Sequence, residues 1–536
     1  MFLSKWIGRW WQNDVAVLTT TALLGSIVCA ALMLLCGGGN GAAFWDFPLD
    51  DAWIHMVYVR GWLTSGYPSY NPGVAESGFS SPLWLIVTMP AFLIGNALGA
   101  LPLWIKYTSV VFGAVTALGV ARLTMHFTGN RRDGIMAQVL LFLSPLFAFS
   151  MASAMEVTLA AAAIVFALLK WMQQRIWQAG CLLALAALAR PEAVCVAMGI
   201  GVVSGVWPRF RPAGKWWGHV LPLVVPVLVA FSIWGGYNVA VTGYPLPNTF
   251  YVKAGFSPMN NLQLIKPFLQ SSVLPLTFWG TAVLTIGIFL NFRVFNTGTQ
   301  RPFALILVAI CIVSITAVFA SRPLLPNITF YQYRYYIPFV PPLFAVGAVM
   351  VSNAVLSKRL FKIILTGMAV LPFVVTCIAA YPAQLNSYQS HCEEVRTVHT
   401  LPAKFIRDHY PNDHTLAVEG AGAMAFFSQK YVVDLNGLNT HTIAHSVKGT
   451  GLLCTLAVTS PRLVAVPSTW HRFITPVFRI HATQVFTYPQ SNFTGTEGPL
   501  HLHIYETTLK SAVGRQKDRE LLCNSQPSPF SGRSKG

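Results

Sequence analysis

Apolar residues fall along the chain in long runs separated by short polar segments, a pattern typical of helices that span a membrane. The first run, Val15 to Cys36, is long enough to cross a bilayer and follows Lys5 and Arg9. No small-residue cleavage pattern closes this run, so we expect an uncleaved anchor with a cytoplasmic N-terminus. Ten further apolar runs lie at about 103–121, 134–150, 156–171, 176–189, 191–207, 217–239, 273–291, 302–320, 335–355 and 363–380. The pattern predicts an all-α polytopic membrane domain with about eleven crossings.

Basic residues cluster in several loops between these runs, and the positive-inside rule places such loops in the cytoplasm. The clusters are Arg122/Arg131/Arg132, Lys170/Arg175, Arg209/Arg211/Lys215, Arg293/Arg301 and Lys358/Arg359/Lys362. One orientation satisfies the rule at all of them, provided that the proline-containing run Ser81 to Leu98 is re-entrant or interfacial. The other loops then lie on the outer face, where nearly every unusual polar residue is found. These outer loops are 38–80, 150–156, 189–192, 240–272, 321–334 and the chain after 380.

The chain changes character after about residue 380. A polar stretch from Glu393 to His409 is typical of a helix, and short apolar segments that follow it are typical of strands. The strand-like segments are Leu416–Val418, Tyr431–Val433, Leu463–Val466 and His501–Tyr505. We therefore predict a transmembrane domain over 1–380, a small extracytoplasmic α/β domain over 381–507 and a disordered tail over 508–536.

Composition supports the membrane assignment and excludes a soluble globule. Hydrophobic residues make up 54% of the chain and charged residues only 10%, against roughly 25% charged in an ordinary soluble domain. The formal net charge of +18 would suggest nucleic acid as a partner of a soluble protein, but in a polytopic protein it belongs to cytoplasmic loops. No nucleic acid partner is expected. The nine cysteines form no zinc-type spacing, so metal binding by thiolates is not expected either.

The first outer loop carries an adjacent pair of carboxylates, Asp50 and Asp51, followed by His55 and Arg60. Two neighbouring anions raise each other's pKa unless a cation, a metal or a proton offsets them, so the pair suits a general base or a ligand for a divalent cation. The competing interpretation is that the pair only caps the helix that follows. Spacing alone does not separate these two interpretations.

Other outer loops carry charges at membrane depth, where ionisable groups are expensive and are functional candidates by default. Glu156 lies where one crossing turns back, and Arg190 and Glu192 flank a proline in the tight hairpin at 189–192. The alternative for Arg190 and Glu192 is a snorkelling pair at a helix end.

Two further loops combine cations with aromatic residues. Lys253 and Arg334 are natural partners of a phosphate. Tyrosines beside them, Tyr251 and Tyr335 among others, either form an interfacial belt or stack on sugar rings. His441 and His445 have the i,i+4 spacing of a helical metal pair, but the Glu of a metalloprotease motif and a third ligand are missing, so the metal signal is weak.

Seven short motifs occur in an order that resembles the GT-C glycosyltransferases, over about residues 44 to 450. Within these, the sequence is similar to the subgroup that contains the mycobacterial terminal arabinofuranosyltransferases and a pilin arabinosyltransferase of pseudomonads. The motifs are Leu49-Asp50-Asp51-Ala52-Trp53-Ile54-His55, Tyr70-Asn71-Pro72-Gly73, Ser80-Ser81-Pro82-Leu83-Trp84, Ala189-Arg190-Pro191-Glu192, Leu246-Pro247-Asn248-Thr249-Phe250-Tyr251-Val252-Lys253, Arg334-Tyr335-Tyr336 and Asp434-Leu435-Asn436-Gly437-Leu438-Asn439.

The resemblance implies an enzyme of the bacterial inner membrane that works at the periplasmic face. It would move a sugar, arabinofuranose in this subgroup, from a polyprenyl-phosphate carrier to a hydroxyl of a cell-envelope glycan or pilin-like protein. Asp50 or Asp51, with Asp50 preferred, would be the acid/base group, and any divalent cation would bind at this pair. Substrate-binding positions would be His55, Arg60, Glu156, Arg190, Glu192, Asn248, Tyr251, Lys253, Arg334, Tyr335 and Asn439. The alternative from another class is a lipid-linked sugar flippase or transporter, although transporters tend to hold substrate near the midplane between repeated halves.

Overall fold

The computed structural model describes residues 13–36, 41–206, 217–253, 300–321, 333–356, 360–412, 415–446, 450–487 and 501–509. The chain divides into two compact units. Unit 1 comprises Met1–Gly39, Ser81–Ile233 and Gly255–Gln389, and unit 2 comprises Asn40–Ser80, Trp234–Ala254 and Ser390–Gly536. Unit 2 therefore takes in the first outer loop and the 234–254 segment, a grouping that the sequence-based division at 380 does not contain.

Helices dominate the described residues. In chain order they are α1 Asp14–Leu35, α2 Ala42–Trp45, α3 Asp50–Ser65, α4 Pro82–Ala97, α5 Leu101–Thr128, α6 Arg131–Phe142, α7 Pro145–Ala152, α8 Val157–Met172, α9 Ile176–Ala189, α10 Val194–Val206, α11 Trp217–Thr242, α12 Asn248–Lys253, α13 Gln300–Ser321, α14 Pro341–Leu356, α15 Leu360–Val395, α16 Leu401–His409, α17 Ala423–Ser428, α18 His441–Ala444, α19 Thr450–Thr459 and α20 His471–Ile474.

Four helical segments within the described residues are long and apolar enough to cross a membrane. They are Asp14–Leu35, Leu101–Thr128, Trp217–Thr242 and Val370–His409, with a fifth if α6 and α7, bent by 77°, count as one span. The predicted run at 273–291 lies outside the described residues, and the count of eleven crossings stays a prediction. Helix α4 covers about 24 Å, less than the roughly 30 Å hydrocarbon core, and its re-entrant or interfacial role also stays a prediction.

Local signals explain where several of these helices start and stop. The Asn13 side chain accepts hydrogen bonds from the backbone N–H groups of Val15 and Ala16 and so caps α1. Asn130 caps α6 in the same way. Gly129 follows α5 in the left-handed conformation, with φ of 68°, and ends the helix without steric cost.

Unit 1 packs around α8. Every residue of this helix is buried except Phe166 and Lys170. Its run of alanines, 160–163, lets neighbouring backbones approach closely, which is how helices associate where lipid removes most of the hydrophobic driving force. Thr116 of α5 accordingly donates to the backbone oxygen of Thr158 at 3.1 Å.

Unit 2 contains a two-stranded hairpin and a five-stranded mixed sheet. The hairpin pairs β1 Ser69–Asn71 with β2 Val74–Ala75. The sheet has the order β4-β3-β5-β7-β6, made of β3 Thr415–Val418, β4 Tyr431–Asp434, β5 Leu463–Pro467, β6 Phe478–Thr487 and β7 His501–Leu509. Strands β3, β4 and β5 run parallel, whereas β7 is antiparallel to both β5 and β6.

The parallel strands form the buried part of this sheet. All five residues of β5 are buried, and Ala417, Val433, Leu456 and Val464 share one hydrophobic core, as expected for parallel strands that are covered by helices. All four predicted strands are present, whereas β6 was not predicted from the sequence. The predicted helical stretch at 393–409 is present as the end of α15, a π-helical turn at Arg396–Thr400 and α16. The prediction that the disordered tail begins at residue 508 is wrong by two residues, because Thr508 and Leu509 pair with β6 as the end of β7. The rest of the predicted tail lies outside the described residues.

Candidate active site

The Asp pair lies in the first turn of α3 within unit 2. The N-cap residue of α3 is Leu49, whose side chain forms no capping hydrogen bond. The Asp50 carboxylate instead accepts the backbone N–H groups of Gly422 at 2.7 Å and Ala423 at 2.8 Å. Gly422 is the N-cap residue of α17. The hypothesis that Asp50 caps its own helix is therefore wrong, because its carboxylate caps α17.

Arg60, nearly three turns further along α3, holds the other end of α17. Its Nη1 donates to the Phe426 carbonyl at 2.7 Å and its Nη2 to the Ala425 carbonyl at 3.2 Å. An anion at the N-terminus and a cation at the C-terminus both suit the dipole of α17. These contacts give Arg60 a structural role, and they do not support its predicted contact with substrate.

Buried side chains between Asp50 and Arg60 complete the contact with α17. The Trp53 ring lies 4.8 Å from that of Phe426 and 4.7 Å from that of Phe427, and its Nε1 donates to Asp46 at 2.8 Å. His55 is only 6% exposed. The predicted substrate contact of His55 therefore has little accessible surface to support it.

Asp51 has a different partner from its neighbour. Lys253, the last residue of α12, donates from Nζ to Asp51 Oδ1 at 3.0 Å. The two side chains are 21% and 19% exposed. The structure thus brings together the acidic and basic candidates from two outer loops, in a position that solvent reaches.

The start of α12 is fixed by a buried carboxylate that the sequence did not single out. Glu76 is 5% exposed and accepts from Asn248 Nδ2 at 2.9 Å and from the Ser77 backbone N–H at 3.1 Å. The Asn248 backbone N–H donates to the Ser77 carbonyl at 2.8 Å. The predicted substrate residue Asn248 is fully buried and therefore anchors the helix that ends in Lys253.

His441 and His445 extend this network in two directions. His441 Nδ1 lies 3.1 Å from Glu76 Oε2, and His445 Nε2 lies 3.0 Å from Asn248 Oδ1. The hydrogen bond with Glu76 raises the pKa of His441, whereas burial lowers the pKa of His445 to about 4. Within the described ranges no three His, Cys, Asp or Glu side chains form a group that could hold a metal ion, at the Asp pair or here.

Tyr251 belongs to a packed aromatic cluster around His445. The Tyr244 ring is stacked on the imidazole with centroids 3.7 Å apart, and Tyr251 meets the same imidazole edge-on at 4.4 Å. This packing ties α12 to α18. Sugar stacking and an interfacial belt both stay predictions for these rings.

The last motif forms a turn around the buried carboxylate of Asp434. This carboxylate accepts from the backbone and side-chain nitrogens of Asn439, both at 2.9 Å, and from the Asn436 backbone N–H at 3.0 Å. Burial raises the pKa of Asp434 to about 7, against the lowering effect of these bonds. Asn439 is itself 2% exposed, so it orders the turn, and its predicted contact with substrate stays a prediction.

Unit 1 contains the second group of predicted residues. Arg190 Nη1 lies 2.7 Å from Glu156 Oε1, and Arg190 Nε lies 3.7 Å from Glu192 Oε2. Arg190 is 4% exposed. It therefore does not snorkel to the solvent with Glu192, because its closest charged partner is the buried Glu156.

Arg334 and Tyr335 join the same cluster. The guanidinium carbon of Arg190 lies 4.7 Å from the centre of the Tyr335 ring, and that of Arg334 lies 5.2 Å from it. Arg334 is 3% exposed. Two buried cations thus lie close to one aromatic ring, and Arg190 already has Glu156 and Glu192 as charged neighbours.

Lys106 is a further buried cation that the sequence reasoning missed. It is 2% exposed within α5, and its Nζ lies 5.4 Å from the centre of the Tyr388 ring. The sequence does indicate this residue, because it is a lysine inside the apolar run at 103–121 and charges inside membrane helices are rare.

Comparisons with known proteins bear on the fold. Residues 386–505 match a family described as a domain of unknown function, DUF8728. A search of curated protein sequences finds no significant match. Among solved structures, the chain is similar to ArnT from Cupriavidus metallidurans bound to undecaprenyl phosphate, with a TM-score of 0.53, 11% identity and coverage of 89% of this chain and 97% of that chain.

Two more structures are similar to the chain. The apo state of the same ArnT has a TM-score of 0.52 and 11% identity, over 94% of this chain and 98% of that chain. Arabinofuranosyltransferase AftD from Mycobacteria has a TM-score of 0.47 and 14% identity, over 94% of this chain and 41% of that chain, which is too weak to add to the fold assignment. The chain therefore has a mostly helical fold similar to that of ArnT.

Replacing Gly422 by Ala should destabilise unit 2, because an added Cβ would clash with the backbone oxygen of Asp50. Overpacking of this kind typically costs about 1–3 kcal/mol. Thermal unfolding followed by tryptophan fluorescence measures the effect. Gly236→Ala is the matched control, since nothing lies within 4 Å of its added Cβ. Equal unfolding temperatures for the two variants would contradict the close contact between Asp50 and Gly422.

The two histidines should affect stability in opposite pH ranges. The lowered pKa of His445 favours the neutral ring in the folded state, so its contribution is lost as the pH falls from 6.5 towards 4. The raised pKa of His441 gives a contribution that is present below pH 6.5 and lost as the pH rises through the folded pKa. His445→Gln should flatten the acid side of the profile of unfolding temperature against pH, and His441→Gln the alkaline side. Two variants with the wild-type profile would refute this network.

Proposed function

We propose that the chain is a membrane glycosyltransferase that moves a sugar from a polyprenyl-phosphate carrier to an acceptor hydroxyl. The GT-C fold supports this proposal, and so does the lipid named for one similar structure, ArnT bound to undecaprenyl phosphate. The observation that carries it is the partly exposed pair of Asp51 and Lys253, a candidate base beside a candidate phosphate ligand. The sequence resemblance points to arabinofuranose as the sugar, and to a cell-envelope glycan or pilin-like protein as the acceptor.

The contacts favour Asp51 over Asp50 as the base. Both oxygens of Asp50 are engaged by backbone N–H groups of α17, so this carboxylate is held in place and its oxygens are already occupied by the fold. Asp51 has its charged contact with a lysine that can move to a substrate. The preference for Asp50 that came from the sequence is therefore replaced in this proposal by Asp51, with Asp50 as a positioning residue.

In the proposed reaction, Asp51 accepts a proton and Lys253 stabilises the leaving phosphate. The acceptor oxygen forms a bond to the anomeric carbon, while the bond from that carbon to the phosphate oxygen breaks. The hydroxyl proton passes to the Asp51 carboxylate, and the electron pair of the broken bond stays on the polyprenyl phosphate, where the Lys253 ammonium stabilises the charge. Arg190 and Arg334 remain proposed phosphate ligands on sequence grounds.

We further propose that the active face is the periplasmic face of a bacterial inner membrane. The distribution of basic loops supports this orientation. Cys454 of unit 2 is disulfide-bonded, and disulfides are stable in oxidising compartments such as the periplasm and rare in the cytosol.

The flippase alternative differs in chemistry and can be separated directly. Purified protein is incubated with a synthetic polyprenyl-phosphate arabinofuranose and a simple alkyl glycoside as acceptor. A transferase releases free polyprenyl phosphate and forms a new glycosidic bond, whereas a flippase leaves the donor intact. No release over a range of lipid-linked sugars would count against the proposed function.

Asp51→Asn should lower the rate of transfer by about 10² to 10⁴, the usual contribution of general acid–base catalysis, and leave the unfolding temperature nearly unchanged. Asp50→Asn should lower the unfolding temperature as well, because the amide retains a single acceptor oxygen for two N–H donors. Lys253→Gln should mainly raise KM for the donor. Asp408→Asn, at an exposed carboxylate on α16, is the control. An active Asp51→Asn enzyme would exclude Asp51 as the base.

Cysteine labelling tests the orientation. Thr469→Cys, exposed in unit 2, should react in intact cells with a membrane-impermeant maleimide that has crossed a permeabilised outer membrane. Gln174→Cys, exposed after α8, should react only after the inner membrane is opened. Both variants are made in a background without Cys36 and Cys181, the free cysteines that are exposed in the described part of the chain. The reverse labelling pattern would overturn the proposed periplasmic face.

A further inference from the structure

A cavity of about 320 Å³ lies in unit 1 among the ends of three helices. Helix α1 contributes its first turns, α5 its last turns and α8 its C-terminal end. Phe166 and Lys170, the two residues of α8 that are not buried, both line this cavity. Its full lining is Asp14, Val15, Leu18, Arg122, Met125, His126, Phe166, Leu169, Lys170 and Gln173. The lining of the cavity thus combines apolar with charged side chains.

The charged side chains that line this cavity carry a net positive charge. Its one carboxylate, Asp14, is already paired with Arg131 at 3.2 Å. Arg122 and Lys170 form no ion pair with any residue in the described part of the chain. The cavity therefore offers a guanidinium fork and an ammonium group to an anion, without a competing free carboxylate in its lining.

The depth of the cavity suits the head group of a lipid. Arg122 lies about 31 Å along α5 from the first residue of that helix, close to where a hydrocarbon core of roughly 30 Å ends. This is the end of the bundle where the positive-inside rule predicts the cytoplasm, and the cytoplasmic leaflet carries anionic lipids. Basic pockets between membrane helices at this level are suited to phosphate head groups.

The surface beside the cavity can accept acyl chains. Val15 lines the cavity and is 49% exposed, and further apolar residues of α1 are exposed along the helix. These residues are Leu23, Leu24, Ile27 and Val28. A volume at the lower end of small-molecule sites fits a phosphodiester and glycerol, while the chains would lie on the outside of α1.

We propose that this cavity binds the phosphodiester head group of an anionic phospholipid. Arg122 and Lys170 contact the phosphate, and Val15, Leu18 and Phe166 contact the glycerol and the first methylene groups. The site is separate from the Asp51 and Lys253 pair, and the inference does not depend on the proposed glycosyl transfer.

Native mass spectrometry of the full-length protein, purified in a neutral detergent, tests this site. Short-chain phosphatidylglycerol and phosphatidylcholine of equal chain length are titrated separately. Both lipids carry the phosphodiester, but the trimethylammonium group of phosphatidylcholine would lie near Arg122 and Lys170 and be repelled, so the wild-type protein should bind phosphatidylglycerol about tenfold more tightly. Equal affinity for the two lipids in the wild-type protein overturns the proposal without any variant.

The double variant Arg122→Gln/Lys170→Gln should lose this preference. The matched control, Arg132→Gln/Arg175→Gln, removes the same charge from exposed positions that do not line the cavity, and it should keep the preference. Equal losses in both would indicate diffuse surface charge and overturn the site. A final arm adds inorganic phosphate or glycerol 3-phosphate to the wild-type protein. Displacement of phosphatidylglycerol by these soluble anions at comparable concentration would assign the cavity to a free phosphate instead of a lipid.

Discussion

Unit 2 depends on the contact between α3 and the two ends of α17. The Asp50 carboxylate takes up the N–H groups at the start of α17, and the Arg60 guanidinium takes up the carbonyls at its end. A six-residue helix leaves most of its backbone groups without intrahelical partners, so these two side chains complete it. Because α17 lies between β3 and β4 in sequence, the first outer loop is held against the five-stranded sheet by charge as well as by the Trp53 packing.

This contact gives two adjacent carboxylates unequal tasks. Each charge-assisted bond of Asp50 is worth roughly 1.5–3 kcal/mol, and losing it would leave backbone donors of α17 without acceptors. The partly exposed pair of Asp51 and Lys253 is a single ion pair, and solvent screening keeps its contribution to about 1 kcal/mol. A substrate phosphate can therefore replace Asp51 as the partner of Lys253 at little cost in stability, whereas no substrate could compete for Asp50 without loosening α17. This difference in energy separates Asp51, the proposed reacting group, from Asp50, which stabilises the fold.

The sequence predicted the elements of unit 2 better than their partners. Alternating and apolar runs identified β3, β4, β5 and β7, because strands that are buried show a recognisable spacing of apolar residues in the sequence. The sequence analysis missed β6, because most of its residues are exposed or partly exposed and do not form an apolar run. The motif order placed Asp51 and Lys253 in one candidate site, but local pattern cannot reveal that Arg60 bonds carbonyls 365 residues away. Glu76 was missed for the same reason, since burial beside Asn248 and His441 is a property of the tertiary structure alone.

The buried cluster of unit 1 limits what single substitutions there can demonstrate. Arg190 and Glu156 are both nearly inaccessible and lie 2.7 Å apart. Removing one member of such a pair leaves an uncompensated charge in a low-dielectric interior, a change that typically costs about 3–5 kcal/mol. Loss of activity in an Arg190 variant would therefore follow from a role in phosphate binding and equally from a role in packing. The pair of Asp51 and Lys253 is less ambiguous, because both side chains are partly exposed and solvent reaches the charge that a substitution leaves behind. Chemistry and stability are therefore more readily measured apart at this pair than at Arg190.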